Sequence, residues 1–461
     1  MADETVTVET YSTTLGLIYI FNLIVGTGAL TMPAAFHYVT VTFMVEAMAI
    51  ANARVNLRMQ QQDPSENDPA DGQISERAPL LQTRPEVSEF EITRPVEMGI
   101  MAVMFFNRAG VVLFNLCIVI YLYGDLSIYA VAVPKSLRDV ACTYAGTNSS
   151  CNQTVGDSDP CWEGVDLTRE NAYRVFVAVF FCTIGMFAFS NVQKTKYLQM
   201  LTSGARWVAF GIMIVLAVIQ LAEGRGQGHP KVGDISGLPN LFGVCVYSFM
   251  CHHSLPSLVT PIRNKSRLAS VLAGDYTLIL VFYAILSFTG IFTFRSIEDL
   301  YTLNFQPNEC GRQTVTNVKF IEYFLALFPV FTLSTNFPII AITLRNNLKG
   351  ILARPSYSNF VNHYLIALLA VVPPTIVAVI TNKVDFLVGI TGSYAGAGIQ
   401  YVIPAFLVLS ARRQVLDLEA RLGGPQIHRS PFGSSVWVYL VLGWAALCVI
   451  FVTINHIVTG K

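Results

Sequence analysis

The sequence predicts an all-α polytopic membrane protein of about eleven transmembrane helices, and three observations carry that expectation. Hydrophobic residues fill 53% of the 461 positions and charged residues only 13%, about half the share of roughly 25% in an average soluble domain. Apolar runs recur at close to the length of about 20 residues that a helix needs to cross a 30 Å hydrocarbon core. Basic residues gather in alternate connections between those runs, as the positive-inside rule requires. The formal net charge is zero, so no bulk field points to nucleic acid or to an acidic partner.

The apolar runs fall at 15–36, 110–133, 172–189, 201–221, 241–262, 271–294, 320–344, 364–380, 386–409 and 436–457. A further run, 37–53, follows the first with no turn residue between them, and its roughly 25 Å is short for a span. Counting it gives eleven helices with the second truncated. The basic connections hold Arg54 and Arg58, Lys194 and Lys196, Arg263, Lys265 and Arg267, Arg345, Lys349 and Arg354, and Arg412, Arg413, Arg421 and Arg429. These five are expected in the cytoplasm. With 37–53 spanning, the amino terminus is cytoplasmic and the carboxyl terminus is not.

The resulting organisation is a cytoplasmic segment 1–14, helices 1 and 2 in 15–53, a cytoplasmic loop 54–99, helix 3 in 100–133 and an extracytoplasmic loop 134–170. Helices 4 and 5 occupy 171–221, helices 6 to 10 occupy 239–410, a cytoplasmic loop spans 411–432, and helix 11 with the carboxyl terminus fills 433–461. Residues 1–14 hold no Lys or Arg, so no cleaved signal peptide is expected and the first helix directs insertion.

The polar 56–97 stretch has too little apolar surface to fold alone, and reads as a disordered cytoplasmic loop. Within it Glu76-Arg77-Ala78-Pro79-Leu80-Leu81 has the form of an acidic dileucine signal that clathrin adaptors recognise, which points to endolysosomal sorting. The extracytoplasmic loop carries glycosylation sequons at Asn148 and Asn152, on the side the charges assign to it. Cys142, Cys151, Cys161 and Cys310 also fall on that oxidising side. They suggest two disulfides, with all three connectivities open.

Candidate binding residues lie where helices carry breakers at membrane depth. Asn22–Pro33 holds Gly26, Thr27, Gly28 and Ala29 ahead of a proline, and is expected to unwind. Unwound backbone is tolerated there only where it is buried in protein or lines a cavity. Helix 6 repeats the anomaly in Ser248–Ser257, with Met250, Cys251, His252 and Ser254 beside Pro256. Two broken helices five spans apart suggest inverted repeats with a binding site between them. Adjacent Cys251, His252 and His253 point about 100° apart on a helix, which disfavours a metal site. Thr332, Ser334 and Thr335, beside an expected break at Pro338, offer neutral oxygens for a coupling sodium ion. Gly389, Gly392, Gly396 and Gly398 offer a surface for close helix approach. Asp125 reads as an acid near the end of helix 3. No nucleophile elbow, phosphate loop or metal-ligand cluster is visible, so neither an enzyme nor a bound cofactor is expected.

These motifs resemble a known group. Asn22–Pro33, Phe249-Met250-Cys251-His252 with Leu255-Pro256, and Val388–Ala405 are similar to helices 1, 6 and 10 of the amino acid/auxin permease branch of the amino acid–polyamine–organocation superfamily, which includes sodium-coupled neutral amino acid transporters. Tyr121–Leu126, Val192–Gln199 and Ser334–Pro338 resemble the transmembrane protein 104 family more narrowly. The resemblance implies a leucine-transporter-like 5+5 inverted repeat plus one extra helix, and secondary active amino acid transport coupled to sodium or protons. It also implies a further stretch between Pro33 and Tyr38, most of helix 2, that this chain lacks. The rival expectation is a transporter-like sensor that signals through its cytoplasmic loop without net flux.

Overall fold

The computed structural model describes residues 13–62, 89–144, 156–189, 196–230, 238–305 apart from 261, 263, 264 and 299, 315–352 apart from 317, residue 360, and 364–459; for 13–33, 62, 196–200, 203, 240, 257 and 459 it describes the backbone alone. The described residues are helical throughout, save for loops and a single bridge between Pro160 and Thr168. Among the described residues, eight helices are long and apolar enough to cross a membrane, and Ile366–Ile380 is a shorter apolar helix.

The first helix, α1 (Thr13–Gln62), is one continuous element of 50 residues. This corrects two expectations: the backbone does not unwind at Gly26–Ala29, and no reversal occurs at Ala34–Tyr38. The physical reason lies in the junction, where Ala34-Ala35-Phe36-His37-Tyr38 supplies no residue that favours a turn. Propagating the helix keeps every backbone group bonded, and glycine permits unwinding without compelling it. The portion Ala34–Gln61 alone has 28 residues, about 42 Å at 1.5 Å each, so it is long enough to span.

The chain divides into two compact units. The first comprises 1–33, 122–242 and 279–389. In it α9 (Lys319–Leu352) is central, against α10 (Ile366–Ile380), α5 (Lys196–Ala222) and the 3-10 turns Gly185–Phe189 and Tyr301–Phe305. Met213, Phe305, Leu325 and Phe328 fill its core, and Phe180 of α4 (Arg169–Thr183) meets Phe337 edge-on at 5.0 Å. Pro329 and Pro338 lie inside α9, which does not break, so the interruption expected beside Ser334 is absent.

The second unit comprises 34–121, 243–278 and 390–461. Its axis is α1 from Val41 to Ala53, buried all round, with Glu46 held by Arg412 and Asn52 by the Arg94 backbone. It meets α2 (Met98–Phe105) through Arg54 and the Met104 carbonyl, α12 (Ile403–Leu422) through Glu46 and Arg412, and α13 (Ser435–Thr459) through the stacked rings of Phe36 and Trp444. Two π-helical turns, Gly392–Gly396 and Gly398–Val402, lead into α12.

α3 (Arg108–Ala141) runs beyond its expected end, which places Asp125 in mid-helix and buried rather than near a terminus. The Cys142–Cys161 disulfide is formed, one of the connectivities left open; Cys151 and Cys310 lie outside the described residues, as do Asn148, Asn152, Glu76, Leu80 and Leu81. Around that disulfide the loop is tied down by Arg138 to Asp157 (2.8 Å), Arg169 to Asp139 (2.8 Å) and Trp162 Nε1 to the Ala141 carbonyl (2.8 Å).

Candidate functional site: the break in the sixth span

The expected interruption in the sixth span is present. α6 (Leu238–Ser248) stops, Phe249–Ser254 is irregular, and α7 (Leu255–Val259) restarts with Pro256 in its first turn. Proline suits that position because a first-turn amide has no intrahelical acceptor to lose. Across the break only partial bonding survives: Met250 N donates to Tyr247 O (3.2 Å) and Ser254 N to Cys251 O (3.0 Å). The amides of Cys251, His252 and His253 reach no backbone carbonyl among the described residues.

Two segments of the second unit bring fully buried polar groups to this break. α1 supplies His37 and Thr40; the second π turn supplies Gln400 and Tyr401. His252 Nε2 shares a hydrogen bond with Thr40 Oγ1 at 2.9 Å, and that hydroxyl also lies 3.0 Å from the His37 carbonyl. A hydroxyl has one proton, so when Thr40 donates it to the carbonyl it must accept from His252 Nε2–H. The Nδ1 atom of His252 is then a bare acceptor. Tyr401 OH lies 3.1 Å from His37 Nε2, with the rings stacked at 4.9 Å, and Gln400 Nε2 donates to the Val246 carbonyl in the last turn of α6. Cys251 Sγ meets Tyr276 OH of α8 (Leu268–Thr293) at 3.2 Å, and Tyr121 packs against His253 at 5.6 Å.

The network is incomplete. His37 Nδ1, His252 Nδ1, His253 Nδ1 and Gln400 Oε1 are buried without a hydrogen-bond partner. Each such group costs about 1–3 kcal/mol unless water or a ligand satisfies it. Unbonded amides can take a carboxylate and bare ring nitrogens can take an ammonium, so the break has the donors and acceptors a zwitterion needs.

Small residues let the elements close around it. A Cβ on Gly392 would collide with the Gly243 carbonyl of α6, and one on Gly398 would meet Cys117 Sγ. These glycines were expected to serve close approach, and they do so.

Of the expected substrate residues, Met250, Cys251, His252 and Ser254 are together in the break. Asn22, Gly26, Thr27, Gly28 and Ala29 lie on helical backbone whose side chains fall outside the described residues. In the other unit, the Thr332 hydroxyl donates to Phe328 O (3.0 Å) and that of Thr335 to Thr332 O (2.9 Å), back-bonds within α9 that leave each oxygen with lone pairs to offer a cation. Ser334 stands between them. Sequence reading missed His37, Thr40, Gln400, Tyr401 and Tyr276. The available signal was a histidine and a glutamine inside apolar runs, since polar groups at membrane depth mark functional interiors.

Residues 94–422 match the transmembrane amino acid transporter protein family. The chain is 49% identical over 502 aligned positions to transmembrane protein 104 of Homo sapiens, covering 100% of this chain and 99% of that protein. It is 44% identical to the transmembrane protein 104 homolog of Drosophila melanogaster, over 97% of each chain, and 34% identical to that of Dictyostelium discoideum, over 98% of each. The 502-position alignment is longer than this 461-residue chain, so the human relative carries residues that it lacks.

Proposed function

Since the chain belongs to the transmembrane protein 104 family, within the transmembrane amino acid transporter proteins, we propose that it is a secondary active transporter of amino acids whose substrate site is the break at Phe249–Ser254. One observation carries this reading: unbonded amides and unpartnered ring nitrogens meet at a helix break inside the apolar run 241–262. The amides hold the carboxylate, and His252 with Gln400 orients the amine. Thr332, Ser334 and Thr335 are the proposed holders of a coupling cation, with a proton as the other candidate. The proposed location is the endolysosomal membrane, reached through adaptor recognition of Glu76, Leu80 and Leu81, with glycans on Asn148 and Asn152.

Uptake of a radiolabelled amino acid mixture into proteoliposomes, with equilibrium binding measured beside it, tests the reading. Saturable uptake that His252→Ala lowers at least tenfold is expected. No binding of any amino acid by the folded wild-type chain would refute it.

A specific anchor favours a second reading, as a sensor. Phe90 and Ile92 are fully buried in the second unit, and Asn52 exchanges two hydrogen bonds with the backbone of Arg94, at 3.0 and 3.2 Å. The carboxyl end of the cytoplasmic loop is thus fixed to the unit that holds the break. Binding without flux would favour this reading.

A further inference from the structure

A second polar cluster stands apart from the break, on the side of the same unit that the basic loops assign to the cytoplasm. Thr42 of α1, Lys265 and Ser266 before α8, and His428, Arg429 and Ser430 in the loop after α12 line a cavity of about 80 Å³. That is room for a small anion such as a phosphoryl group.

The lining favours negative charge. The Lys265 side chain is only 6% exposed, donates to the Ile262 carbonyl at 2.6 Å, and finds its nearest carboxylate, Glu91, at 3.7 Å. The His428 side chain is 7% exposed, and its Nε2 stands 3.5 Å from Glu91 Oε2, too far for a good hydrogen bond and with no other partner. The 26-residue helix α8 begins at this wall, with Leu268 and Ala269 in its lining, and so turns the positive end of its dipole toward the cavity. Arg429 adds a further cation, paired with Glu419 at 2.8 Å, and the hydroxyls of Ser430 and Thr42 lie 2.8 Å apart. Glu91 therefore faces two buried cationic or ionisable groups and holds neither at close range.

We propose that this pocket binds a phosphoryl group, from an anionic lipid headgroup or from free phosphate, through Lys265, His428, Ser266, Ser430 and the α8 amino terminus, and that Glu91 competes with it for the same partners. The position suits that ligand, since basic pockets among helices on the cytoplasmic side take phosphorylated headgroups. Glu91 belongs to the anchor formed by Phe90 and Ile92, so binding loosens the end of the cytoplasmic loop. The proposal does not depend on the transport reading.

The test uses the full-length chain in nanodiscs of neutral lipid. The probes are inorganic phosphate and a short-chain phosphatidylinositol phosphate, with short-chain phosphatidylcholine as control, and binding and melting temperature are the readouts. Wild-type chain is expected to bind a phosphate probe saturably and to melt at a higher temperature with it. Lys265→Gln is expected to weaken binding about tenfold, the order of one charge-assisted hydrogen bond, and Lys265→Arg to restore most of it. Glu91→Gln is expected to tighten binding severalfold, which a merely structural Lys265 would not produce. Binding of the lipid alone assigns a headgroup; equal affinity for inorganic phosphate assigns the free ion. Absence of saturable binding to wild-type chain, or unchanged or weaker binding in Glu91→Gln, overturns the proposal.

Discussion

Arg412 forks onto Glu46: Nε reaches Oε1 at 2.9 Å and Nη2 reaches Oε2 at 2.6 Å, while the Ser430 amide adds a third donor to the same carboxylate at 3.2 Å. Arg412 Nη2 also holds the Phe432 carbonyl at 3.1 Å, so one ion pair fixes α1, α12 and the loop after α12. Removing one partner of such a pair leaves an uncompensated buried charge and costs about 3–5 kcal/mol. Glu46→Leu is therefore expected to lower stability by that order. Adding Arg412→Met should return most of it, because the penalty comes from the orphan rather than from the lost attraction. Chemical unfolding of the single and double variants measures both, and equal losses in the two would contradict this account.

Gly392 is expected to tolerate no side chain. Backbone cannot move aside as a flexible side-chain tip can, so Gly392→Ala must part its π turn from Gly243, and overpacking of that kind costs about 1–3 kcal/mol. Gly204 in α5 is the control, with nothing within 4 Å of an added Cβ. Gly204→Ala should be neutral or stabilising by up to about 1 kcal/mol, since it removes the backbone entropy of glycine. Thermal melts of the two variants should move in different directions.

The membrane class and the sixth-span break were legible because both are local. Pro256 with the polar run Cys251-His252-His253-Ser254 needs only neighbouring residues to be seen, and glycines at 392, 396 and 398 announce close approach wherever their partner lies. What completes the site was not legible. Thr40 and His252 are 212 positions apart and His37 and Tyr401 are 364, and one sequence does not encode which distant polar residues meet. The first helix misled for a related reason. Gly26 and Gly28 make unwinding cheap, but whether it occurs depends on surroundings and on the junction at Ala34–Tyr38, and there the helix continues. For Thr332 and Thr335 the back-bonded reading and the cation reading share the same residues, so spacing could not separate them.

His428 should make stability depend on pH. Its burial disfavours the charged form, an effect the Glu91 carboxylate partly offsets and Lys265 reinforces, and its pKa is lowered from 6.5. The unfolded chain, with its pKa near 6.5, then takes up the proton more readily than the folded one. Stability from this group is present above about pH 6.5 and falls as pH drops below it. Melting temperature is expected to fall more steeply between about pH 7 and pH 5 in the wild-type chain than in His428→Gln. Parallel curves would exclude His428 as a source of the dependence.

Joining Cys142 to Cys161 closes a loop of 19 residues, a constraint on the unfolded chain of about 3 kcal/mol. Cys161 is fully buried beside Ala172, with Trp162 and Leu167 packed against the cluster, so the bond also seats the loop on α4. Cys142→Ser should lower the melting temperature by several degrees, and reduction of the wild-type chain should reproduce that shift. Both sequons, Asn148 and Asn152, lie within this loop, and replacing both should abolish the mobility shift produced by glycosidase. An unchanged shift would put the loop on the other side of the membrane.

Gln400 links the π turn to the break, and its role can be divided by substitution. Its Nε2 donates to the Val246 carbonyl, one of the α6 carbonyls the interrupted helix no longer bonds, while Oε1 is buried with no partner. Gln400→Leu keeps the volume and removes both functions. It leaves the carbonyl unsatisfied, which costs about 1–3 kcal/mol, and takes away the acceptor proposed for a substrate amine. Gln400→Glu keeps an acceptor but sets a carboxylate against the carbonyl, so destabilisation of at least that order is expected. Gln400→Asn is the informative change, because a side chain one methylene shorter can hold the carbonyl or reach the substrate, and not both. A near-native melting temperature with amino acid binding weakened about tenfold or more, one hydrogen bond's worth, would assign Oε1 to the substrate. Native affinity together with lowered stability would make Gln400 only a cap for the broken helix.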